Sequence, residues 1–302
     1  MKCTCVVASL FLAVQSSHAQ AFVDILPGTN NVPIVSVNYT VNGNTVVQSN
    51  EASAVTSQSD GSVFLNSLQV NTGSENKTLN FFNDLGGVVT NLNISPSASG
   101  VGVFDNGTVT QVADTSAFQT SLAGITQDTD LLNFSFYDGT SGLPDSNTSD
   151  YDLLFARGFL DEDYILVSER NGNTYFNIVP LDQNGNVIAG ANSLRFGGPT
   201  TLGSHQAYDW RSGYATSDYF EDQDFGYSVA SIEKFFEGTS VAPETVVYGF
   251  RIDNNGDADV KFFGLSSNPF TDNPINPNPL VPEPGTALLS VLAAVTLLRR
   301  RR

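Results

Sequence analysis

The chain contains very little of the residue types on which disulfides and many catalytic sites depend. Its 302 residues include 2 cysteines, 2 histidines, 1 methionine and 1 tryptophan. Cys3 and Cys5 both lie near the N-terminus, so the remainder of the chain cannot form a disulfide. An ordinary hydrophobic core must therefore hold the body together. Its length of about 260 residues is sufficient for one large β domain or two smaller ones.

The scarcity of histidine and of catalytic motifs argues against an enzyme. His205 is the one histidine beyond the N-terminal region, so a histidine-rich metal site is excluded and a Ser-His-Asp arrangement would depend on it alone. Nucleophile elbows, zinc-binding HExxH helices, P-loops and GxGxxG turns have no counterpart in the sequence. Paired carboxylates for glycoside hydrolysis stay open, but acidic residues are too abundant to be informative. We predict a protein without catalytic residues.

Basic residues are scarce as well, which excludes nucleic acid as a partner. The chain has 13 lysines and arginines against 31 aspartates and glutamates. Without Lys2 and the four C-terminal arginines, 8 basic residues stand against 31 acidic ones, a net charge of about −23. Such a domain repels polyanions and anionic membrane surfaces, whereas it attracts divalent cations.

The N-terminus has the pattern of a secretory signal peptide. A lysine at the second position precedes an apolar stretch that ends at Val14, and small residues follow it. We predict that signal peptidase removes residues 1–19 by cleavage after Ala19, which makes Gln20 the first residue of the mature protein. Cleavage after Ala21 is the second choice. The exported chain would then contain no cysteine.

The C-terminal region 281–302 contains a proline-flanked acid, a short apolar segment and a terminal arginine cluster. As a helix, the uncharged segment from Thr286 to Leu298 would extend about 20 Å, short of the roughly 30 Å hydrocarbon core, so it would hold a membrane only transiently. Arginines resist translocation, so everything before the segment should lie outside the cytoplasm. The signal residues are Val281, Pro282, Glu283, Pro284, Arg299, Arg300, Arg301 and Arg302.

This order of elements resembles the PEP-CTERM sorting signal of Gram-negative bacteria, whose tails are processed by an exosortase. The resemblance covers only 281–302. It implies that a hydrophobic C-terminal helix anchors the exported protein briefly in the inner membrane before it reaches the cell surface or the medium. For the body it implies association with extracellular polysaccharide and biofilm. The apolar segment is shorter than is common in that family, which bears on stable membrane residence more than on recognition.

Turn signals and alternating apolar residues predict an antiparallel all-β fold. Positions 35–41 alternate with period two, and Asn-Gly or Asp-Gly dipeptides typical of hairpin turns recur along the chain. Apolar, β-rich segments flank Asn171-Gly172 and Asn255-Gly256, which predicts a hairpin across each. Helical patterns are confined to a segment after Asp114 and to 229–236. Many strands without strand–helix alternation favour a β-sandwich of the jelly-roll type.

The sandwich is expected to occupy residues 20–268. Small and polar turn residues crowd together at 139–150, which is either a seam between two domains or a long surface loop. Residues 269–280 are rich in proline and asparagine and should form an extended spacer before the sorting signal.

One segment has the oxygen-rich spacing of a calcium-binding loop. Asp253, Asn255, Asp257 and Asp259 place side-chain oxygens at alternate positions, which suits a hard cation such as Ca²⁺. The segment departs from an EF-hand because its twelfth position is Gly264 and not a glutamate. An acidic hairpin turn explains the same residues, and no other cofactor is indicated.

Tyr208 and Trp210 are the candidate carbohydrate-binding residues. Their rings neighbour the polar residues Asp209 and Arg211, and aromatic faces beside polar groups can stack on sugar rings. The same residues would serve equally well as a cluster at the edge of a hydrophobic core.

These observations lead to one main hypothesis and one alternative. The main hypothesis is a non-enzymatic cell-surface or extracellular-matrix protein, sorted by an exosortase and associated with exopolysaccharide. The alternative is a secreted carbohydrate-active enzyme or lectin on a jelly-roll scaffold. A deep cleft with two carboxylates roughly 5 to 10 Å apart would favour the enzyme.

Overall fold

The fold is taken from a computed structural model that describes most of the chain between residues 21 and 277. Several predicted features lie outside the described residues, among them the cleavage residues Ala19 and Gln20, the helix after Asp114, the turn-rich stretch up to position 149, and the sorting signal 281–302. The described residues are 21–25, 32–50, 56–57, 63–81, 88–93, 101–105, 108–111, 129–131, 134–137, 150–170, 172, 175–197, 208–216, 223–253, 260–268 and 272–277.

Strands account for nearly all of the regular structure in this part of the chain. They are β1 (Phe22–Ile25), β2 (Ile34–Val41), β3 (Asn44–Gln48), β4 (Thr56–Ser57), β5 (Val63–Asn71), β6 (Asn76–Phe81), β7 (Val88–Asn93), β8 (Val101–Asp105), β9 (Thr108–Gln111), β10 (Phe134–Tyr137), β11 (Asp150–Phe159), β12 (Tyr164–Arg170), β13 (Phe176–Leu181), β14 (Ser193–Phe196), β15 (Trp210–Thr216), β16 (Gln223–Ser231), β17 (Val247–Asp253) and β18 (Val260–Ser266).

The strands form two large sheets and a small one. The six-stranded sheet has the order β1-β14-β13-β17-β11-β7, and the nine-stranded sheet has the order β3-β2-β5-β6-β18-β12-β16-β15-β4. The small sheet is β10-β8-β9. Pairing is antiparallel except for β1 with β14 and β15 with β4. The predicted all-β antiparallel sandwich is confirmed in this architecture.

Helical structure is minimal in the described part of the chain. The pattern at 229–236 yields one 3₁₀ turn, Ile232–Phe235, whose two apolar ends are buried. The preceding residues belong to β16 instead, because three of its side chains alternate into the core. Of the residues that the structure describes, none forms a helix with the length and apolar character needed to cross a membrane.

An inter-sheet core lies between the two large sheets and is dominated by phenylalanine. Phe176 and Phe250 of the six-stranded sheet and Phe262 of the nine-stranded sheet belong to it. The ring centroids of Phe250 and Phe262 are 5.0 Å apart, so the sheets interlock through aromatic contacts. Burial of these rings is the main source of stability for a body that no disulfide supports.

A second core lies on the other face of the nine-stranded sheet, which is curled. Strand β12 serves both cores, since Ile165 points to the inter-sheet core and Leu166 to the second one. Tyr39 of β2 packs edge to face on Tyr214 of β15, with ring centroids 5.1 Å apart. Contact between strands so far apart in the sheet order requires the sheet to fold over itself.

Both predicted hairpins, across Asn171-Gly172 and across Asn255-Gly256, are wrong. Strand β12 pairs with β16 and β18, whereas β13 pairs with β14 and β17. Strands β17 and β18 are likewise in different sheets. The reason is burial on both faces: these apolar segments pack face to face across the inter-sheet core instead of pairing edge to edge. A hairpin is found across Asn42-Gly43, where both residues have positive φ, 49° and 77°.

Part of the predicted spacer belongs to the folded domain. Residues 272–277 lie against β11, and the backbone of Ile275 forms an antiparallel bridge with Arg157. The ordered domain therefore extends beyond position 268. Residues 269–271 and 278–280 lie outside the described residues.

Candidate functional site

The predicted sugar-stacking rings are both buried. Tyr208 and Trp210 are each 5% exposed, and they belong to different cores, Tyr208 to the inter-sheet core and Trp210 to the second one. Tyr208 lies over the backbone of Gly226, where an added Cβ would come within 2.9 Å of its ring. In this conformation the ring faces are covered by protein and are not a stacking surface.

The polar neighbours of these rings form a buried charge cluster. Arg211 pairs with Asp224 across β15 and β16, with Nε donating to Oδ2 at 3.1 Å. Glu169 of β12 is also buried and lies on the other side of Gly226 in the strand register. Burial raises the pKa of Tyr208 well above its usual value, and the charge of Glu169 raises it further. This cluster orders three strands and offers little access to a ligand.

Trp210 lies in a polar region of the second core. The Tyr39 and Tyr227 hydroxyls and the Trp210 indole Nε1 are all buried, with no well-formed hydrogen bond to the residues that the structure describes. Burial raises the pKa of both phenols. These groups stay neutral over the ordinary pH range and supply no charge for catalysis.

The predicted calcium ligands are only partly within the described residues. Asp253 ends β17, and its Oδ2 accepts a hydrogen bond of 3.4 Å from Nδ2 of Asn177. Asn255, Asp257 and Asp259 lie outside the described residues, so the calcium loop stays a prediction. The described part of the chain contains no group of three or more His, Cys, Asp or Glu side chains that could hold a metal ion.

A row of polar side chains crosses the outer face of the six-stranded sheet. We call Asp24, Arg195, Asn177 and Asp253 the polar row. They are register partners on β1, β14, β13 and β17, which are adjacent strands. Their sequence neighbours, such as Phe176 and Leu194, point into the inter-sheet core. Because side chains alternate along a strand, the polar row faces away from that core.

Hydrogen bonds connect the members of the polar row. Arg195 Nε donates to Asn177 Oδ1 at 3.3 Å and lies 3.8 Å from Asp24 Oδ1. Asn177 in turn bonds to Asp253, as described above. Asn177 is 5% exposed, whereas the side chains of Arg195 and Asp24 are 30% and 47% exposed. The row thus has a buried centre and accessible donors and acceptors at one end.

A second charged pair lies on the same face. Arg251 of β17 binds Asp152 of β11 through two parallel bonds, Nε to Oδ1 at 2.7 Å and Nη2 to Oδ2 at 2.9 Å. The Asp152 side chain is almost fully buried, and the Arg251 side chain is 37% exposed. Two-bond geometry of this kind holds Arg251 in a fixed orientation.

Two aromatic rings flank the accessible end of the polar row. The Arg195 guanidinium carbon lies 5.0 Å from the Phe22 ring centroid and 5.6 Å from that of Tyr175. Phe22 is 57% exposed, so its ring is accessible to a ligand at this end of the row. A planar cation between two rings, beside amide and carboxylate groups, presents both stacking and hydrogen-bonding surfaces. That combination suits a ligand with hydroxyl groups and an apolar face.

Acidic groups outnumber basic ones among the charged residues described on this face, because Asp253 adds to two arginine–aspartate pairs. Arg195 is accompanied by Asp24, and Arg251 by Asp152, so the face has no surplus of positive charge. The strongly acidic domain also repels polyanions at long range. The chemistry of the face therefore favours a neutral ligand, bound by hydrogen bonds and stacking, over an anionic one.

Sequence reasoning missed the polar row, although part of its signal is visible. Asn177 is the one polar residue of β13, and Arg195 is the one charged residue of β14. A polar residue at an alternate position in such a strand indicates an outward side chain. The sequence does not reveal, however, that β1 and β17 lie on either side of β13 and β14, because that order depends on the sheet topology.

Comparison of the chain with protein-family models, with curated proteins and with solved structures found no match. The fold and its polar face are therefore interpreted from their own geometry.

Proposed function

We propose that this is an exported, non-enzymatic protein of the cell surface or extracellular matrix, sorted by an exosortase and associated with exopolysaccharide. The observation that carries the proposal is the C-terminal order of Pro282-Glu283-Pro284, an apolar segment and four arginines. The N-terminal signal peptide agrees with it, because export is required before such a tail can act. An acidic, disulfide-free β domain suits a soluble existence outside the cell.

The sorting part of the proposal is tested by two sets of variants with opposite outcomes. Glu283→Ala, or alanine at both flanking prolines, should leave export intact but block processing, so that an uncleaved form accumulates in the membrane fraction. Neutral replacements of Arg299–Arg302 should let the full-length chain pass into the periplasm or the medium, because nothing then resists its translocation. Immunoblots of cell fractions measure both effects.

The control for this experiment is Glu75→Ala, which removes an exposed glutamate of the β domain without touching the tail. It should be processed and localised like the wild type. If the tail variants also behave like the wild type, the tail is not a sorting signal and the proposal fails.

The polar row favours the lectin alternative over the enzyme as the role of the β domain. Its aromatic flanks and fixed amide and guanidinium groups suit a neutral polysaccharide, and its carboxylates are engaged with Asn177 or with arginines. We propose that a matrix polysaccharide without charged sugars lies along the Phe22 end of this row. On this reading the predicted association with exopolysaccharide uses the six-stranded sheet, and Tyr208 and Trp210 support the core.

Binding to neutral and anionic polysaccharides tests this assignment. The mature protein should be retarded in gels that contain dextran and not in gels that contain alginate. Arg195→Ala should reduce the retardation roughly tenfold, since each contact with a charged donor is worth about 1.5 kcal/mol. The matched control is Lys77→Ala on the nine-stranded sheet, whose ammonium group also lies over an aromatic ring, 5.6 Å from the Tyr164 centroid. Equal retardation of both variants would contradict the assignment.

A further inference from the structure

The residues that lead toward the C-terminal signal are attached to the edge of the six-stranded sheet. Pairing of β11 with its edge neighbour β7 ends at Leu154. Beyond that point the backbone of β11 bonds to 272–277: Gly158 N–H donates to Pro274 O, and Asn276 N–H donates to Ala156 O, both at 2.8 Å. This segment therefore continues the sheet where β7 stops, and it satisfies backbone groups that would otherwise face water.

Asn273 fixes the start of the segment. Its Nδ2 donates to Gly158 O at 2.8 Å and to Asp163 Oδ2 at 2.6 Å, and its own carbonyl accepts a bond of 3.1 Å from Arg157 Nη1. Asp163 also accepts a bond of 2.8 Å from the backbone N–H of Leu160 in the turn between β11 and β12. Burial raises the pKa of the Asp163 carboxyl above its usual value. The anchor thus depends on the folded turn.

Asn276 fixes the end of the segment. Its Nδ2 donates to Phe155 O at 3.3 Å, and the residue is 8% exposed. Between the two asparagines, Ile275 is 69% exposed. The one large apolar side chain of the segment is exposed, so apolar burial contributes little to its attachment. Hydrogen bonds, including those from the two buried side-chain amides, hold the segment in place. Substitution of the two asparagines should therefore open it.

We propose that residues 272–277 form a latch that shortens the tether of the C-terminal signal and so limits access of the sorting enzyme to that signal. The inference rests on the proposed function of the tail. A free spacer that began after Asn268 would give the signal a reach of about 45 Å before Val281. With the latch closed, only the stretch from Asn276 to Val281 remains, and its reach is at most about 17 Å.

A tether of this length holds the folded domain against any enzyme that binds the signal. A domain of about 250 residues has a radius of gyration of roughly 18 Å, which is comparable to the tether itself. The domain must therefore occupy space beside Pro282-Glu283-Pro284 while the latch is closed. An open latch moves it away and raises the concentration of accessible signal at the membrane, so processing accelerates.

Two independent ways of lengthening the tether test the latch. The first is the double variant Asn273→Ala/Asn276→Ala, which removes the hydrogen bonds that the two side-chain amides donate. The second inserts six residues of Gly and Ser after Pro277, which leaves every latch bond intact. Both should accelerate conversion of the membrane form to the processed form by roughly threefold or more in pulse-chase experiments. Hydrogen exchange should show that 272–277 opens in the first variant and stays protected in the second.

The control variant is Asn44→Ala, which removes an exposed asparagine from the β2–β3 hairpin and should be processed at the wild-type rate. Unchanged processing of both lengthened proteins, with Glu283→Ala still blocking it, would overturn the latch and leave the sorting signal intact. Acceleration by the asparagine variant alone would also overturn it, because reach would then not be the cause. Normal processing of Glu283→Ala would instead refute the proposed function.

Discussion

The two faces of the six-stranded sheet are built from the same strands but differ in chemistry. On the inner face, Phe176, Leu194 and Phe250 are completely buried in the inter-sheet core. On the outer face, the alternate residues of these strands are Asn177, Arg195 and Arg251, which are joined to acids or amides. Stability therefore depends mainly on the inner face, and the proposed polysaccharide site lies on the outer one.

Because of this difference, substitutions on the two faces should destabilise the protein for different reasons. Loss of an inner side chain leaves a cavity that the surrounding rings cannot fill. Loss of an outer side chain removes one hydrogen-bond partner from a neighbouring polar group. If that group is exposed, water can replace the lost partner; if it is buried, water cannot. The effect then depends on how deeply the remaining partner is buried.

Phe250→Ala should produce the largest loss of stability. The Phe250 ring lies within 5.0 to 6.1 Å of the ring centroids of Phe155, Phe159, Phe235 and Phe262. Removing it should lower the free energy of unfolding by about 3–5 kcal/mol. Urea denaturation of the mature protein measures this. The matched variant is Phe22→Ala on the outer face, which should change stability by less than about 0.5 kcal/mol. Similar losses at both positions would contradict the division between the faces.

Arg251→Ala should have an intermediate effect. It leaves the carboxylate of Asp152, which is 1% exposed, without its two bonds to the guanidinium. We expect a loss of about 1–3 kcal/mol in the free energy of unfolding. The double variant Asp152→Asn/Arg251→Met should recover part of it, since the buried charge is then gone. A double variant less stable than Arg251→Ala would show that the ion pair itself stabilises the protein, and that the loss in Arg251→Ala does not come from the charge left on Asp152.

Arg195→Ala should destabilise the protein less than Arg251→Ala. Its carboxylate partner Asp24 is 47% exposed and 3.8 Å away, and exposed pairs contribute about 0.2–1 kcal/mol. Its bond of 3.3 Å to the buried amide of Asn177 adds about 0.5–1.5 kcal/mol. The melting temperature should therefore fall less than in Arg251→Ala, while polysaccharide binding falls. A large drop in melting temperature would assign Arg195 to the structure and remove it from the binding surface.

Calcium should raise the melting temperature slightly if the loop from Asp253 to Asp259 binds it. A ligand bound only by the native state stabilises it by mass action, and the shift should grow with calcium concentration. Asp257→Asn should abolish the shift, and Asp24→Asn, at the other end of the polar row, should preserve it. Identical melting curves in calcium and in chelator would leave the hairpin turn as the explanation of these residues.

Local sequence patterns predicted where strands occur better than they predicted which strands pair with each other. Period-two alternation at 35–41 predicted a strand, and β2 occupies Ile34–Val41. Asn42-Gly43 forms a hairpin turn because its flanking strands, β2 and β3, pair with each other in one sheet. Asn171-Gly172 and Asn255-Gly256 have the same chemistry, yet the strands beside them pair elsewhere. Turn residues permit a reversal of the chain, but they do not choose between pairing in one sheet and packing across two.

The candidate sites show the same limit. Tyr208 and Trp210 carried the composition of a sugar site, and the tertiary structure buries both. The polar row joins residues from Asp24 to Asp253, whose proximity follows from strand order. Residues 272–277 have the composition of a spacer, but two asparagine amides reach backbone carbonyls of β11 and hold it in place. Composition describes what a segment can do alone, and these three cases depend on neighbours distant in sequence.

By itself the sequence determined that the body is an acidic, disulfide-free β domain, because charge, cysteine content and apolar periodicity are properties of local residues. The two terminal signals are predictions from the sequence alone, because each is a linear motif. The tertiary structure alone decided which side chains share a face, which rings are covered and that the folded domain includes residues 272–277. Those properties depend on the order of strands in the sheets. That order is set by cooperative burial of the two faces of the sheets, so no single segment of sequence determines it.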